Sequence, residues 1–487
     1  MGDPAKVIPI RAEEGQTRTV WMYEAAPKIY PRSIGGRWQR LRWLTVWLTQ
    51  LVFYGLPWLE WGGRQAVLFD LAARRFYLFG LVLYPQDFIY LTGLLVLAAY
   101  GLFLFTAVAG RVWCGYACPQ TVYTEMFLWI ERVTEGDRMA RQKLDAAPWS
   151  ARKLWRKGSK QVLWIALALW TGFTFVGYFT PIQTLWAEAF TLGFGPWEWF
   201  WVDFYALATY GNAGFLREQV CKYMCPYARF QSAMFDHDTL IISYEPARGE
   251  PRGSRSKKAD PQALGLGSCI DCTLCVQVCP TGIDIRKGLQ YECIGCAACI
   301  DVCNDVMDKM SYPRGLIRYD TENGLAQHLS RAQRWRRVLR PRVLIYGAVL
   351  LLLSGAMLAS LALRAPFRVD VLRDRAALAR LVDEGQIENI YRLQIMNATE
   401  RVQRYRVGVE GLPGLALAKP LELELMPAEG RWVALALRLP PESAARAGGG
   451  AHPIHFEILR AAASGAEASA GDDARSVREK STFVVPR

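Results

Sequence analysis

The chain has 487 residues, of which 52% are hydrophobic and 18 are tryptophan, and its formal net charge is +13. The apolar share is high for a soluble protein and favours a membrane protein of several domains. The positive charge does not indicate nucleic-acid binding, because the basic residues concentrate beside apolar stretches, where cations fix membrane orientation and meet anionic lipid headgroups. The composition therefore predicts a multi-pass membrane protein that contacts lipid and has no nucleic-acid partner.

Five apolar stretches are long enough to cross a bilayer core, which takes about 20 residues. They are predicted as transmembrane helices at 43–61, 88–109, 162–181, 200–216 and 343–363. A further apolar stretch, 67–84, contains Asp70, Arg74 and Arg75 and is predicted to lie at the membrane interface rather than to span it. No cleavable signal peptide is expected, because the N-terminal tail lacks an apolar core.

Clusters of basic residues predict the orientation of these spans. They occur in the N-terminal tail, in the loop 132–160 and just before the last span at 331–342, whereas the loop between the third and fourth spans has Glu188 and no basic residue. Cations are retained on the cytoplasmic side of bacterial inner membranes. The N-terminus and the segment before the last span are therefore expected in the cytoplasm, and the C-terminus in the periplasm.

Two copies of a C-x3-C-P motif follow the second and fourth predicted spans. They contain Cys114 and Cys118, and Cys221 and Cys225. If the two spans pack together, the four thiols converge at the cytoplasmic membrane face, where they can hold Cu(I), accept Cu(II), ligate a third cluster, or cycle between dithiol and disulfide. The alternative is that they are small buried thiols at helix ends, but a repeated motif at equivalent positions favours a redox or copper site.

The remaining eight cysteines form two C-x2-C-x2-C-x3-C runs. In such a run the first three thiolates bind one cluster, and the fourth ligates the neighbouring cluster. The spacing therefore predicts a bacterial-type 2[4Fe-4S] ferredoxin domain in which each run completes the other's site. The predicted ligands are Cys269, Cys272, Cys275 and Cys303 for cluster one, and Cys293, Cys296, Cys299 and Cys279 for cluster two.

Disulfides and structural zinc explain these runs less well. Disulfides are rare in the reducing cytoplasm, where this region is expected. Zinc sites usually show two separated C-x2-C pairs rather than four thiols in succession, repeated once. The four histidines, His237, His328, His452 and His455, all lie outside the predicted spans, so a bis-histidine haem within the membrane helices is not expected either.

Beyond the last predicted span the hydrophobic period changes from that of a helix to that of a strand. Seven alternating segments, with glycine and proline between them, predict an immunoglobulin-like sandwich without cysteine. The strands are predicted around 367–371, 391–395, 405–409, 421–425, 433–439, 455–459 and 482–485.

The predicted fold class is thus a multi-domain α-helical membrane protein with a ferredoxin domain and a C-terminal all-β sandwich. The expected domains are a cytoplasmic tail (1–42), a four-helix membrane domain (43–220), a cytoplasmic region (221–340, with the ferredoxin core at 262–312), a fifth helix (343–363) and a periplasmic domain (366–487).

Several long strings in this order of features resemble the CcoG family, also called FixG or RdxA. The strings are CGYACPQ from Cys114, CKYMCPYARFQ from Cys221, RGEPRG from Arg248 and YPRGL from Tyr312, and the similarity covers nearly the whole chain. The resemblance implies an accessory protein of cbb3-type cytochrome c oxidase maturation that acts as a cupric reductase, converting Cu(II) to Cu(I). We further expect that Cu(I) is handed to a copper-exporting ATPase or a copper chaperone, and that the oxidase subunits are partners.

The residues and the resemblance together give a mechanistic hypothesis. An electron from a cytoplasmic donor or from the quinone pool enters the paired clusters and reduces copper held at Cys114, Cys118, Cys221 and Cys225. Two other functions remain open at this stage. One is a quinol-linked membrane ferredoxin that feeds another reductase, and the other is a structural assembly factor whose clusters serve only stability.

Overall fold

The computed structural model describes residues 7–11, 17–21, 28–261, 263–374, 378–460 and 476–486. The chain divides into two compact units. The first comprises Met1–Val46, Phe105–Ile165 and Tyr210–Val338, and the second comprises Trp47–Leu104, Ala166–Thr209 and Leu339–Arg487.

Helices account for most of the residues before 363. They are α1 (Arg37–Gly55), α2 (Phe88–Ala109), α3 (Val112–Tyr116), α4 (Pro119–Glu135), α5 (Arg138–Ala146), α6 (Ala151–Val176), α7 (Ile182–Thr191), α8 (Pro196–Gly214), α9 (Arg217–Gln219), α10 (Pro226–Met234), α11 (Pro246–Gly249), α12 (Leu274–Gln277), α13 (Ala298–Met310), α14 (Glu322–Ala326), α15 (Arg331–Val338), α16 (Pro341–Ala362) and α17 (Pro441–Ala447). A π-turn at Val220–Met224 joins α9 to α10.

All five ranges predicted as spans contain helix. Three of these helices, α2 with the turn before it (Pro85–Ala109), α6 and α16, are long and apolar enough to cross a membrane. Helices α1 and α8 have 19 residues each and are less apolar, because α1 contains three Arg and two Gln, and α8 contains Glu198 and Asp203. The chain is accordingly a membrane protein with three candidate spans, and the count of five stays a prediction.

The stretch 67–84, predicted as interfacial, is a small antiparallel sheet rather than a helix. Its strands are β5 (Val67–Asp70), β6 (Arg75–Leu78) and β7 (Leu81–Leu83). The other short strands pair as β1 (Val7–Arg11) with β2 (Thr17–Trp21), β3 (Glu60–Trp61) with β4 (Arg64–Gln65), and β8 (Ile241–Tyr244) with β9 (Ile317–Asp320). Each of these strands is too short to cross a bilayer.

The C-terminal strands form two antiparallel sheets. The strands are β10 (Phe367–Arg373), β11 (Arg380–Leu381), β12 (Ile387–Asn397), β13 (Gln403–Glu410), β14 (Ala416–Leu417), β15 (Leu421–Leu425), β16 (Gly430–Leu439), β17 (Gly450–Arg460) and β18 (Ser476–Val485). One sheet has the order β10-β12-β16-β14, with β11 paired to β12, and the other has the order β15-β13-β17-β18. Alternate residues such as Tyr391, Leu393 and Ile395 are fully buried in one hydrophobic core, as a half-buried strand requires.

The ferredoxin region belongs to the first unit. Strands β8 and β9 are antiparallel, and Ile241 pairs with Asp320 at one end and Tyr244 with Ile317 at the other. Helices α12 and α13 follow the two cysteine loops, and the buried side chains around them, including Met307 and Leu316, form a second hydrophobic core. These strands and helices hold the two cysteine loops so that the loops face the interior of the ferredoxin region.

In the second unit, α6 and α8 approach so closely at Gly172 that only glycine fits. A Cβ atom there would lie 2.2 Å from the Val202 carbonyl oxygen, and small residues allow such contacts between membrane helices. Gly172→Ala is therefore expected to cost about 3 kcal/mol and to lower the melting temperature in detergent. Gly158→Ala on the same helix meets no atom within 4 Å and is the control. Equal melting temperatures for the two variants would contradict the prediction.

Candidate iron–sulfur and thiol sites

The first C-x3-C-P motif lies at a break between two helices. Cys114 is in α3, and the Cys118 amide closes that helix by donating to the Trp113 carbonyl at 3.0 Å. Cys118 itself has extended backbone angles, and Pro119 begins α4. Proline suits the first helical position because its missing amide hydrogen would have no helical partner there. The second thiol of the motif is therefore held at a helix start rather than within a helix.

The second motif has the same local structure. Cys221 lies in the π-turn Val220–Met224, and the Cys225 amide donates to the Val220 carbonyl at 2.8 Å. Cys225 is extended, and Pro226 begins α10. In both motifs the closing bond spans five residues, a geometry that is rare in helices and frequent at functional sites. The repeated sequence thus encodes a repeated thiol-presenting turn.

The structure brings the four thiols of these motifs together. The Cys114 thiol interacts electrostatically with those of Cys118 and Cys225, and the Cys221 thiol interacts with the other three. Among the described side chains, no three from His, Cys, Asp and Glu lie close enough together to hold one metal ion. The four thiols are therefore neighbours that interact electrostatically, but they do not form a closed metal site.

Polar residues near the motifs orient this thiol group. The Cys114 thiol donates to Gln231 Oε1 at 3.2 Å, and Arg111 Nε donates to the same oxygen at 3.0 Å. Gln231 Nε2 in turn donates to Thr106 Oγ1 at 3.3 Å, and the Tyr227 hydroxyl also hydrogen-bonds Thr106. Gln231 and Tyr227 belong to the CKYMCPYARFQ string, but no role for them could be predicted from the sequence. Their function here is to join the second motif to the first.

The predicted ligands of cluster one surround a single cavity. Cys269, Cys272, Cys275 and Cys303 all line it. The Cys303 thiol interacts electrostatically with the other three, although it lies far from them in the sequence. Arg286 also lines the cavity and supplies positive charge near thiolates. This donor set has the thiol chemistry that a [4Fe-4S] cluster requires.

A second cavity is lined by the predicted ligands of cluster two, namely Cys293, Cys296, Cys299 and Cys279. The Cys299 thiol interacts with those of Cys279, Cys293 and Cys296. A cubane places four irons between its thiolates, so its ligands stand farther apart than those of a single ion. The structure therefore places the four predicted ligands of each cluster around one cavity, and Cys275 lines both cavities.

The two cysteine loops share an unusual backbone. Asp271 and Thr273 flank Cys272 with positive φ angles of 50° and 57°, and Gly295 and Ala297 flank the equivalent cysteine with 69° and 60°. Left-handed residues are uncommon outside glycine, and one on each side of a cysteine curls the loop inward. The same curvature in both loops is an independent structural sign of two equivalent cluster cradles.

Burial sets the protonation state of these thiols. It raises the pKa of Cys303 and of Cys293 to about 12, and that of Cys275 to about 11. The pKa of Cys221 is likewise raised to about 12 by burial. Metal and cluster ligands must be thiolates, so binding has to displace protons from these sites. Assembly of the sites is therefore coupled to proton release.

The first C-x3-C-P motif lies directly against the loop of cluster two. A Cβ atom on Gly115 would stand 2.9 Å from the backbone nitrogen and Cα of Cys296. A Cβ on Gly295 would stand 3.0 Å from the Arg111 carbonyl oxygen. The two glycines permit backbone contact. The membrane-face thiols and the cluster-two ligands are thus adjacent, which the sequence spacing alone did not reveal.

An ion network on α4 supports this region. Glu131 bridges Arg217 at 2.7 Å and also pairs with Arg141, and all three side chains are nearly inaccessible to solvent. Burial acts to raise the pKa of Glu131, but Arg217 and Arg141 hold the pKa below its usual value. The carboxylate therefore stabilises the fold above about pH 4.3, and this stabilisation is lost as the pH falls toward the depressed pKa.

We expect Glu131→Gln to leave two buried guanidinium groups uncompensated and to cost about 3–5 kcal/mol at pH 7. Its melting temperature should also change less than that of the wild type as the pH falls below about 4. Glu322→Gln is the control, because Glu322 is exposed. Thermal unfolding between neutral and acidic pH measures both effects, and a wild-type profile in Glu131→Gln would contradict the prediction.

Models of known protein families match the regions of the chain that contain these cysteine sites. Three family models match the chain: a 4Fe-4S binding domain at residues 91–135, a 4Fe-4S dicluster domain at 216–322 and the IG-like fold at C-terminal of FixG at 357–486. With the candidate spans, they define a membrane iron–sulfur protein of the oxidoreductase type. The predicted ferredoxin region and immunoglobulin-like domain are confirmed.

The family itself follows from full-length relatives. The chain is 39% identical over 427 residues to "Nitrogen fixation protein FixG" of Rhizobium meliloti, covering 81% of this chain and 82% of that protein. It is 41% identical over 404 residues to "Protein RdxA" of Cereibacter sphaeroides, covering 81% and 84%. The chain belongs to the FixG/RdxA family, as its motifs indicated.

Among solved structures, a FixG-related protein from Vibrio parahaemolyticus is similar to part of this chain. The match has 22% identity, covers 25% of this chain and 97% of that protein, and has a TM-score of 0.21.

Proposed function

We propose that this protein is a membrane-bound cupric reductase that supplies Cu(I) for assembly of cbb3-type cytochrome c oxidase. The observation that carries the proposal is the backbone contact between Gly115 and Cys296, which sets a four-thiol group beside an iron–sulfur ligand loop. Thiolates select Cu(I), so such a group favours the reduced product. Copper is the substrate here, not a resident cofactor.

Electron transfer and copper binding are assigned to two different groups of cysteines. The two cysteine sets hold [4Fe-4S] clusters, which supply one-electron carriers when bound. Cys114, Cys118, Cys221 and Cys225 bind the copper ion. Arg111 and Gln231 position Cys114 through their shared hydrogen bonds. The copper ion is thereby bound close to the clusters, by thiols that are not cluster ligands.

The orientation of the protein in the membrane is inferred from the positions of its basic residues. The chain crosses the bacterial inner membrane with five helices, and its ferredoxin region lies in the cytoplasm and its C-terminal sandwich in the periplasm. Cu(I) then passes to a copper-exporting ATPase or a copper chaperone, and the sandwich contacts oxidase subunits. Tagging the C-terminus with a periplasm-specific reporter enzyme tests this orientation.

Stopped-flow mixing of the dithionite-reduced, full-length protein with Cu(II) tests the proposed reaction. Reoxidation seen in the cluster absorbance, with one Cu(I) formed per electron lost, supports a cupric reductase. Cu(I) is measured with a chromogenic chelator. Reduced protein that does not respond to Cu(II) would rule the proposal out.

A second function is favoured by one specific observation. The match to a 4Fe-4S binding domain at 91–135 includes Cys114 and Cys118 but no other cysteine. With Cys221 and Cys225 they make four thiols, enough for a third cluster. In that case the protein is an electron-transfer subunit that serves another reductase. About twelve irons per chain, rather than about eight, would identify it.

A further inference from the structure

Helix α1 begins against the helix that carries ligands of both clusters. The backbone amides of Trp38 and Gln39, in the first turn of α1, donate to the Asp301 carboxylate at 3.3 and 2.8 Å. Asp301 is buried and lies in α13 between Cys299 and Cys303. A carboxylate is a favourable acceptor for the unpaired amides at a helix start. The start of α1 is therefore fixed relative to the cluster ligands.

One turn further along α1, Arg42 is buried beside the ligands of cluster two. Its side chain is 6% exposed, and its guanidinium lies within hydrogen-bonding reach of the Cys296 thiol. Of the charged groups around that thiol, Arg42 acts on it most strongly. Arg42 also lines a polar cavity together with Pro280 and Ala298, which are next to other ligands of the same cluster. A full positive charge is thus placed at the cluster-two site.

Two neighbouring side chains hold the guanidinium in this position. Arg42 Nη2 donates to Gln39 Oε1, and Gln39 Nε2 donates in turn to Glu125 Oε1 at 2.8 Å. Glu125 Oε2 is 3.8 Å from Arg42 Nε, a distance that makes an ion pair but no hydrogen bond. Within the described part of the chain, Arg42 Nε has no nitrogen or oxygen acceptor. This N–H group is therefore available to a sulfur atom of the site.

A cation and an N–H donor at the cysteine sulfurs change how readily an iron–sulfur cluster takes up an electron. Reduction adds one negative charge, which a nearby cation stabilises. Net charge, hydrogen bonds to the sulfurs and solvent exposure all set the potentials of such clusters. In a buried site the cation is also little screened by salt. Arg42 therefore meets the conditions for stabilising the reduced state of cluster two.

We propose that Arg42 raises the reduction potential of cluster two and that Glu125 moderates this effect. Arg42 acts through the Cys296 sulfur and is a positioning residue rather than a cluster ligand. An electron supplied by a one-electron reductant is then held more firmly at the cluster next to the C-x3-C-P thiols. The proposal rests on the part of the proposed function that places a [4Fe-4S] cluster at Cys296, and it is independent of copper.

A second arginine occupies the corresponding place at cluster one. Arg286 lines the cluster-one cavity and interacts with the Cys275 thiol. It pairs with Asp284 at 2.8 Å and also with Asp271. Because the two arginines act on different ligand sets, substitution of each should move a different potential. Arg286 thus provides a matched comparison for Arg42.

A redox titration of the full-length protein, followed by low-temperature electron paramagnetic resonance, measures both midpoint potentials. Arg42→Met should lower one midpoint by at least the equivalent of a tenfold change in equilibrium constant, about 59 mV for one electron. Glu125→Gln should raise the same midpoint, because the arginine then lacks its counter-charge. Arg286→Met should lower the other midpoint. Arg40→Met alters an exposed cation on α1 and should leave both unchanged, since water and salt screen it.

A conservative variant separates tuning from support of the fold. Arg42→Lys keeps the charge and should return the midpoint most of the way to the wild-type value. Unchanged midpoints in both Arg42→Met and Glu125→Gln, with iron content retained, would overturn the proposal and leave Arg42 as a brace for α1. Equal shifts of both midpoints in either variant would also overturn it. If Arg42→Met loses its iron, the rise expected for Glu125→Gln decides the question.

The outcome is separable from that of the copper experiment. The titration needs no copper, and the stopped-flow test does not require a particular cluster potential. Shifted midpoints in a protein that does not reduce Cu(II) would retain the role of Arg42 and reject the proposed function. Copper reduction with unmoved midpoints would do the reverse.

Discussion

Replacing both Cys221 and Cys225 with serine is expected to slow Cu(II)-driven reoxidation of the reduced protein at least about a hundredfold. About eight irons per chain should remain bound, because these cysteines line neither cluster cavity. Serine keeps the size of each side chain but removes the soft donor that copper prefers. The π-turn and the helix start at Pro226 need only the backbone, so the local fold should persist.

Two neighbours in the same motif provide controls. Tyr223→Phe and Met224→Leu alter exposed side chains and leave all four thiols in place, so both should reoxidise at the wild-type rate. Rapid-mixing absorbance and metal analysis of each preparation measure the rate and the iron content. If the serine variant loses about four irons from a wild-type total of about twelve, the thiols hold a third cluster. If it keeps its iron and its rate, copper reacts elsewhere.

The sequence was most informative where chemistry or periodicity constrains it strongly. Eight cysteines at ferredoxin spacing predicted two crossed ligand sets, and the structure gathers the same residues around two cavities. Seven alternating segments predicted the sandwich, and each corresponds to a strand of the two sheets. A period of two leaves little choice of which face is buried, so strands such as 387–397 could be recognised without knowledge of their partners.

Features that depend on contacts between distant segments could not be predicted. The sheet at 67–84 is apolar and interrupted by charges, a pattern shared by interfacial helices and short hairpins. The roles of Arg111 and Gln231 depend on how α10 meets α3, 120 residues apart. The same is true of the contact between Gly115 and Cys296. In each case the local sequence permits the contact, and only tertiary packing creates it.

The crossed ligand sets lead to opposite expectations for two double variants. Cys272→Ser with Cys303→Ser removes two ligands from one site if the sets are crossed, so about four irons should remain. Cys272→Ser with Cys279→Ser removes one ligand from each site, and most of the iron should be lost. If each run instead bound its own cluster, the two results would exchange. The structure favours the crossed sets because Cys303 faces Cys269, Cys272 and Cys275 across one cavity.

Iron analysis and low-temperature electron paramagnetic resonance of the reduced proteins distinguish these cases. The first double variant should show a simple signal from one remaining cluster, since its partner is missing, and the wild type should show a broadened signal from two neighbouring spins. Helix α13 carries both Cys299 and Cys303, so its geometry links the two sites. Loss of all iron from the first variant together with retention in the second would establish uncrossed ligand sets and reject the arrangement described here.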